Sequence, residues 1–259
     1  MCTLPVAVKF VLVLALYGFT AFTAYAVGQN NKLKVLAIHG FASSAAIFHM
    51  QMAHITQACA DFADFTFANG PTLIPEASTK KRPRFTWWSR QDTKQSTEYL
   101  GMHEGLTALT DLQHSQDDDD RPFDVIIGHS QGAAMAVLIA LLNASRNSGQ
   151  GTERNVRVPS QPSMFLFYSG FPPLDDALVP LYTELSRDDI NVESHWIIGA
   201  NDNVVFPEYS EAAMEMFRGA KKMIHIGSHD PPRCEESTAY VTHAIKTLAE
   251  KIKEESRKG

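Results

Sequence analysis

Cysteine is scarce in this sequence: Cys2, Cys59 and Cys234 are the only three in 259 residues. That is too few and too scattered for a disulfide framework or a cysteine-ligated zinc site. Glycine and proline, at 15 and 13 residues, fall well short of collagen-like or low-complexity composition. Positive charge is also in deficit. Twenty-three lysines and arginines stand against 29 aspartates and glutamates, for a net charge of −6. This argues against a nucleic-acid partner, because neutralising phosphates needs a basic surface. What the chain does have is 44% hydrophobic residues, enough for a sizeable core in one or two domains.

A charge-free hydrophobic run occurs at the N-terminus. Lys9 precedes an apolar stretch over residues 10–22, and Ala24-Tyr25-Ala26 follows as a small-x-small cleavage pattern. Residues 1–28 therefore read as a signal peptide. The other reading is an uncleaved signal anchor, since the apolar stretch reaches about 18 residues by Val27, near a bilayer's span. Either places the protein in the secretory pathway or at a membrane, with membrane contact only through this segment. Residues 29–259 remain as the folded domain. Asn143-Ala144-Ser145 is an N-glycosylation acceptor by pattern, but it falls in a predicted helix.

That domain alternates strands and helices. Apolar runs predict strands over 33–38, 62–67, 123–127, 164–168, 192–198 and 222–226. Helical spacing predicts helices over 47–58, 97–112, 131–142, 207–217 and 235–255. Residues 72–95 lose periodicity and read as an inserted loop or cap, and 117–120 as a solvated acidic loop. Six strands interleaved with helices imply an α/β fold, a mostly parallel, doubly wound sheet flanked by helices on both sides.

Gly128-His129-Ser130-Gln131-Gly132 lies between an apolar strand and an alanine-rich helix. In that context G-x-S-x-G is a nucleophile elbow, which presents the serine hydroxyl above the sheet. A hydroxyl is a weak nucleophile near neutral pH and needs a base, which in turn needs an acid to hold its tautomer. In chain order the acid and then the histidine should follow the serine. Gly199-Ala200-Asn201-Asp202 ends one predicted strand and Gly227-Ser228-His229 ends the next, so Ser130, Asp202 and His229 all reach the carboxyl edge of the sheet. His225 reads as a buried strand residue, His129 as pointing away from the nucleophile, and Asp175-Asp176 as solvated loop charges. The oxyanion of acyl transfer needs two donors. The Gln131 N–H is one candidate, and the Phe41 N–H, in the loop after the first strand, is the other.

These residues resemble the FSH family of serine hydrolases, members of the α/β-hydrolase superfamily. The resemblance runs through Ile38-His39-Gly40-Phe41, Arg84-Phe85-Thr86-Trp87-Trp88, the elbow from Phe123 to Ala133, Ser169-Gly170-Phe171, and the Asp202 and His229 loops. It implies an α/β-hydrolase fold with a short cap insertion and esterase activity on small to medium acyl esters, without metal or organic cofactor. An acyl-thioesterase or lactonase with the same triad, or a non-catalytic ligand-binding relative, are the alternatives. Trp87, Trp88, Phe171 and Phe206, with Phe41, are candidate walls of an acyl pocket. Lys80-Lys81-Arg82-Pro83-Arg84 reads as a solvated loop, with attraction of an anionic substrate as the other reading. The N-terminal hydrophobic segment departs from family members that look cytoplasmic, so a cytoplasmic location, as for those members, is the alternative to the secretory or membrane one, and residues 147–162 read as a surface insertion. Cleavage after Ala26 predicts a mature chain starting at Val27, and intact-mass analysis of the secreted or membrane fraction is the check.

Overall fold

The computed structural model describes residues 32–94, 96–115, 121–149 and 156–258. The expected targeting segment, the acidic run and residues 150–155 of the insertion lie outside the described residues. Leu33–Gly259 form one compact unit. No helix among the described residues is long and apolar enough to cross a membrane.

In chain order the elements are β1 (Leu33–Ile38), α1 (Ala45–Ala58), β2 (Ala63–Ala68), β3 (Thr72–Leu73), β4 (Phe85–Thr86), β5 (Ser89–Asp92), β6 (Thr97–Leu100) and α2 (Met102–Ser115). Then come β7 (Val125–His129), α3 (Gln131–Asn147), β8 (Met164–Tyr168), α4 (Val179–Glu184), β9 (Glu193–Gly199), α5 (Pro207–Met214), β10 (Lys221–His225) and α6 (Glu235–Lys258). Six strands form one parallel sheet in the order β10-β9-β8-β7-β1-β2.

Strand alternation assigns the two faces. Leu36, Ile38, Ile126, Phe165, Phe167 and Trp196 join the core that includes α3, whereas Val35, Val125, Ile127, Leu166 and Ile197 join the core that includes α1 and α6. Burial on both faces explains why these strands read as continuous apolar runs. Helix α3 is buried from Gln131 to Ser145. Its alanines let it lie close to the sheet, while Leu138, Ile139 and Leu141 each contribute about 1.5–3 kcal/mol of burial. The chain winds outward from β1 in both directions, through β2 on one side and β7 on the other, so the winding reverses between β1 and β7. Ligands of open α/β sheets bind at that switch point.

Two expectations change here. Residues 97–100 are not the start of a helix but a strand, paired with β5. Asp175 and Asp176 accept the backbone N–H groups of Tyr99 and Thr97 at 2.7 and 3.0 Å, and Gly101, at φ 87°, separates that strand from α2. Asp175 is thus a buried clasp rather than a solvated charge. The aperiodic stretch before it holds β3, β4 and β5, two of them only two residues long, too short for a period to show. Cys59 and Cys234 are both free thiols, one buried and one exposed.

Asn143 is 9% exposed, and its amide donates to the carbonyls of Ile139 and Pro159 at 2.9 and 3.0 Å. Its acceptor pattern is therefore unusable by a glycosyltransferase in the folded state. Peptide mapping should find Asn143 unmodified, and Asn143→Ala should lower unfolding stability by about 1–3 kcal/mol in urea titration.

Candidate active site

Ser130 sits between β7 and α3 with φ 53° and ψ −118°, a conformation that L residues rarely adopt and that persists only where the surroundings impose it. The surroundings are tight. A Cβ on Gly132 would lie 2.2 Å from the Ile38 carbonyl oxygen, and one on Gly128 would lie 2.5 Å from the Ala133 Cα. Only glycine permits strand, turn and helix to close on one another here. Ser130 N–H donates to the Tyr168 carbonyl at 2.9 Å, fixing the turn to β8.

Asp202 follows β9 and His229 follows β10, and the two loops are stitched together by their backbones. Ala200 N–H donates to His225 O at 2.8 Å and Asn201 N–H to Gly227 O at 3.1 Å. Gly199 is required at this crossing, because a Cβ there would stand 2.2 Å from the Ser228 carbonyl oxygen. The result is a hydrogen bond of 2.9 Å from His229 Nδ1 to Asp202 Oδ2. Asp202 Oδ1 accepts the Val204 and Val205 N–H groups, each at 2.9 Å. Burial raises the carboxyl pKa, but hydrogen bonds from His229, Ser169, Val204 and Val205 outweigh it and hold Asp202 below its ordinary value. An ionised Asp202 keeps the proton of His229 on Nδ1 and leaves Nε2 as the basic nitrogen. Ser130 shares a cavity with His229, but no hydrogen bond joins the hydroxyl to the imidazole.

His129 does not simply point away. Its Nε2 lies 2.9 Å from the His229 carbonyl oxygen, and the two rings are 5.0 Å apart. Burial, reinforced by the nearby His229 charge, pushes its pKa down to about 4, so the ring is neutral and Nε2–H donates. His39 is a second neutral histidine, pushed down to about 4 by burial; its Nε2 accepts the Gly70 N–H at 3.0 Å. His225 accepts the Gly227 N–H at 3.1 Å and shapes the turn before His229. The residue types alone carried no sign of the His129 and His39 roles, since each depends on a loop brought in by another strand.

The Phe41 and Gln131 N–H groups donate to no acceptor among the described residues. The Gln131 side chain has a role that the sequence did not suggest. Its Oε1 accepts from Thr86 Oγ1 at 3.0 Å and from the Trp87 N–H at 3.1 Å, and its Nε2 donates to the Trp88 carbonyl at 2.9 Å. The inserted segment is thereby tied to the elbow.

A cavity of about 340 Å³ opens beside Ser130, with Phe41, Trp88, Tyr99, Phe171, Leu174 and Tyr209 among its walls. Trp88 and Tyr99 stack at 4.7 Å. Trp87 and Phe206, expected in this wall, do not line it. Trp87 is fully buried and donates its indole N–H to His39 O at 2.8 Å. Phe206 precedes α5 with its ring turned outward, 52% exposed, while Val204 and Val205 take the wall instead.

A strained serine at the switch point of a parallel sheet, with its histidine and acid delivered by later strands, is the organisation of the α/β-hydrolases. Solved structures of this kind share the fold. Maize acyl-protein thioesterase 2 aligns with a TM-score of 0.61 at 16% identity, over 86% of this chain and 96% of that one. Esterase PE8 aligns at 0.58 and 18%, over 84% and 93%. Within that class, the family described as Serine hydrolase (FSH1) matches residues 29–241, and the chain belongs to it. The mouse esterase OVCA2 is 25% identical over 78% of this chain and 91% of its own length. A Schizosaccharomyces pombe protein named dihydrofolate reductase is 27% identical over 79% of this chain, which spans only 45% of that relative. The protein is accordingly a serine hydrolase.

The two neutral histidines set a pH dependence. The unfolded chain protonates them near 6.5 while the folded chain refuses the proton until about 4. Stability therefore falls as pH drops through that window, each histidine adding a slope of about 1.4 kcal/mol per pH unit. Urea midpoints measured between neutral and mildly acidic pH should show this loss, and His129→Phe should flatten the slope.

Proposed function

We propose that the protein is a carboxylesterase for small to medium-chain acyl esters, working through Ser130, His229 and Asp202. The observation that carries this reading is the aromatic cavity opening directly beside Ser130, about 340 Å³ in volume and at the small end of the range for organic ligands. An acyl chain leaves water for that cavity, which places the ester carbonyl against the serine hydroxyl. His229 Nε2 removes the hydroxyl proton as Ser130 Oγ attacks, and Asp202 stabilises the imidazolium that results. The oxyanion is held by the unspent N–H groups of Phe41 and Gln131, aimed at charge that develops only as the carbon becomes tetrahedral. His229 returns the proton to the leaving oxygen as the C–O bond breaks. Water, deprotonated by the same nitrogen, then releases the acid from the acyl-enzyme.

An acyl thioester presents the same carbonyl to the same groups, and a thioesterase is the second reading, in keeping with the maize thioesterase among the fold relatives. Residues 1–28 belong to the proposal as a targeting segment that directs the domain to the secretory pathway or a membrane face.

A fluorophosphonate probe should label the wild type and not Ser130→Ala, whose kcat/KM should fall by about 10³-fold or more. An unlabelled wild type sinks the proposal. Across p-nitrophenyl acetate, butyrate, octanoate and palmitate, kcat/KM should peak at butyrate or octanoate, and a peak at acetate removes the acyl role of the cavity.

A further inference from the structure

Ser130 opens onto a second cavity, of about 200 Å³, which shares only Phe41 and Ser130 with the first. The two differ in chemistry. The first is walled mainly by aromatic and aliphatic side chains, with Gln131 and the Asp92-paired Arg90 also at its wall, whereas the second is lined by Ser43, Gln51, Arg84 and Asp230, together with His229 and Ile47. His229 lines the second cavity and not the first. In acyl transfer the histidine must stand beside the leaving atom, because it delivers the proton there as the bond breaks. The second cavity is therefore the seat of the leaving group, given the serine hydrolase reading on which this inference rests.

Its charges lie open. Arg84 is half-buried and donates one guanidinium N–H to the Ala42 carbonyl at 2.9 Å, yet forms no ion pair among the described residues. Asp230 accepts only a long hydrogen bond, 3.4 Å, from Gln51 Nε2, and likewise forms no ion pair among them. Arg84 and Asp230 line one cavity without closing on each other, while Arg90 and Asp92 on the neighbouring ribbon pair at 2.8 Å. A guanidinium held by a carbonyl keeps donors free for an anionic group, and an unpaired carboxylate attracts a cation or an ammonium group.

We infer that the leaving group is a small alcohol or thiol that carries both an anionic and a cationic group, as a hydroxy- or mercapto-amino acid does. The anionic group faces Arg84 and the cationic group faces Asp230. As Ser130 Oγ bonds to the acyl carbon, the carbon's bond to the leaving oxygen or sulfur breaks. The serine proton, carried by His229, ends on that atom. The product alcohol or thiol leaves through the polar cavity while the acyl chain stays in the apolar one.

The test uses octanoyl esters that share one acyl chain and differ only in the leaving group: octanoylcarnitine (zwitterionic), octanoylcholine (cationic), 3-(octanoyloxy)propanoate (anionic) and ethyl octanoate (neutral). p-Nitrophenyl octanoate reports the acylation machinery. For the wild type, kcat/KM on the zwitterionic ester should exceed that on the neutral one by about tenfold or more. Arg84→Gln should reduce the carnitine-to-choline ratio by about fivefold, and Asp230→Asn should reduce the carnitine-to-propanoate ratio by about the same factor. Ratios within one variant cancel any loosening of the Ala42 turn when Arg84 is changed. Turnover of the p-nitrophenyl ester with equal rates on all four esters, or with ratios unmoved in both variants, overturns this inference and leaves the esterase reading standing. A wild type inert to the p-nitrophenyl ester overturns both.

Discussion

Everything at the site depends on how closely β7, α3 and the end of β1 approach one another. The absent Cβ of Gly132, for which there is no room beside the Ile38 carbonyl, is what allows the helix to begin immediately after a serine in a left-handed conformation. The same rim carries the other strained residues. Ala42, Ser130 and Ser169, with φ of 51°, 53° and 48°, are the positive-φ non-glycine residues among those described. They follow β1, β7 and β8, three adjacent strands. Strain concentrated along one edge above two packed cores is affordable only because those cores over-determine the strand ends.

Asp202 and His229 are set by a different device. Neither Asp202 nor His229 sits on a regular element, yet backbone hydrogen bonds between their loops give the pair a geometry that side-chain contacts alone would not. His129 extends this arrangement, since the residue beside Ser130 holds the His229 carbonyl. The elbow and the histidine loop are thus joined twice, once through the sheet and once through an imidazole kept neutral by burial.

What the sequence disclosed and what it hid follow from range. The elbow, the Asp202 loop and the His229 loop are short motifs at strand ends, and local glycine chemistry makes them legible. The parallel sheet was legible for a similar reason, since strands buried on both faces read as unbroken apolar runs. Which aromatic faces the cavity was not legible. Trp87 and Trp88 are neighbours in the chain, but the first packs against His39 and the second against Tyr99, a choice made by partners that other elements bring in. Residues 97–100 read as helical because their strand character comes from β5 and from the carboxylates of Asp175 and Asp176. Arg84 read as one charge in a solvated run, although its guanidinium reaches back 42 residues to the Ala42 carbonyl in the turn after β1.

The Gln131 side chain binds Thr86, Trp87 and Trp88, while its backbone N–H donates to no acceptor among the described residues. One wall of the cavity beside Ser130 therefore hangs from the residue that begins α3. That makes the cavity lopsided in what it can tolerate. A change at Trp88 is felt at the residue after Ser130, whereas Leu174, Val204 and Tyr209, on walls not hung from Gln131, are free to vary in size. The cavity can thus be resized by remodelling one side of the slot, while the side tied to the elbow stays fixed.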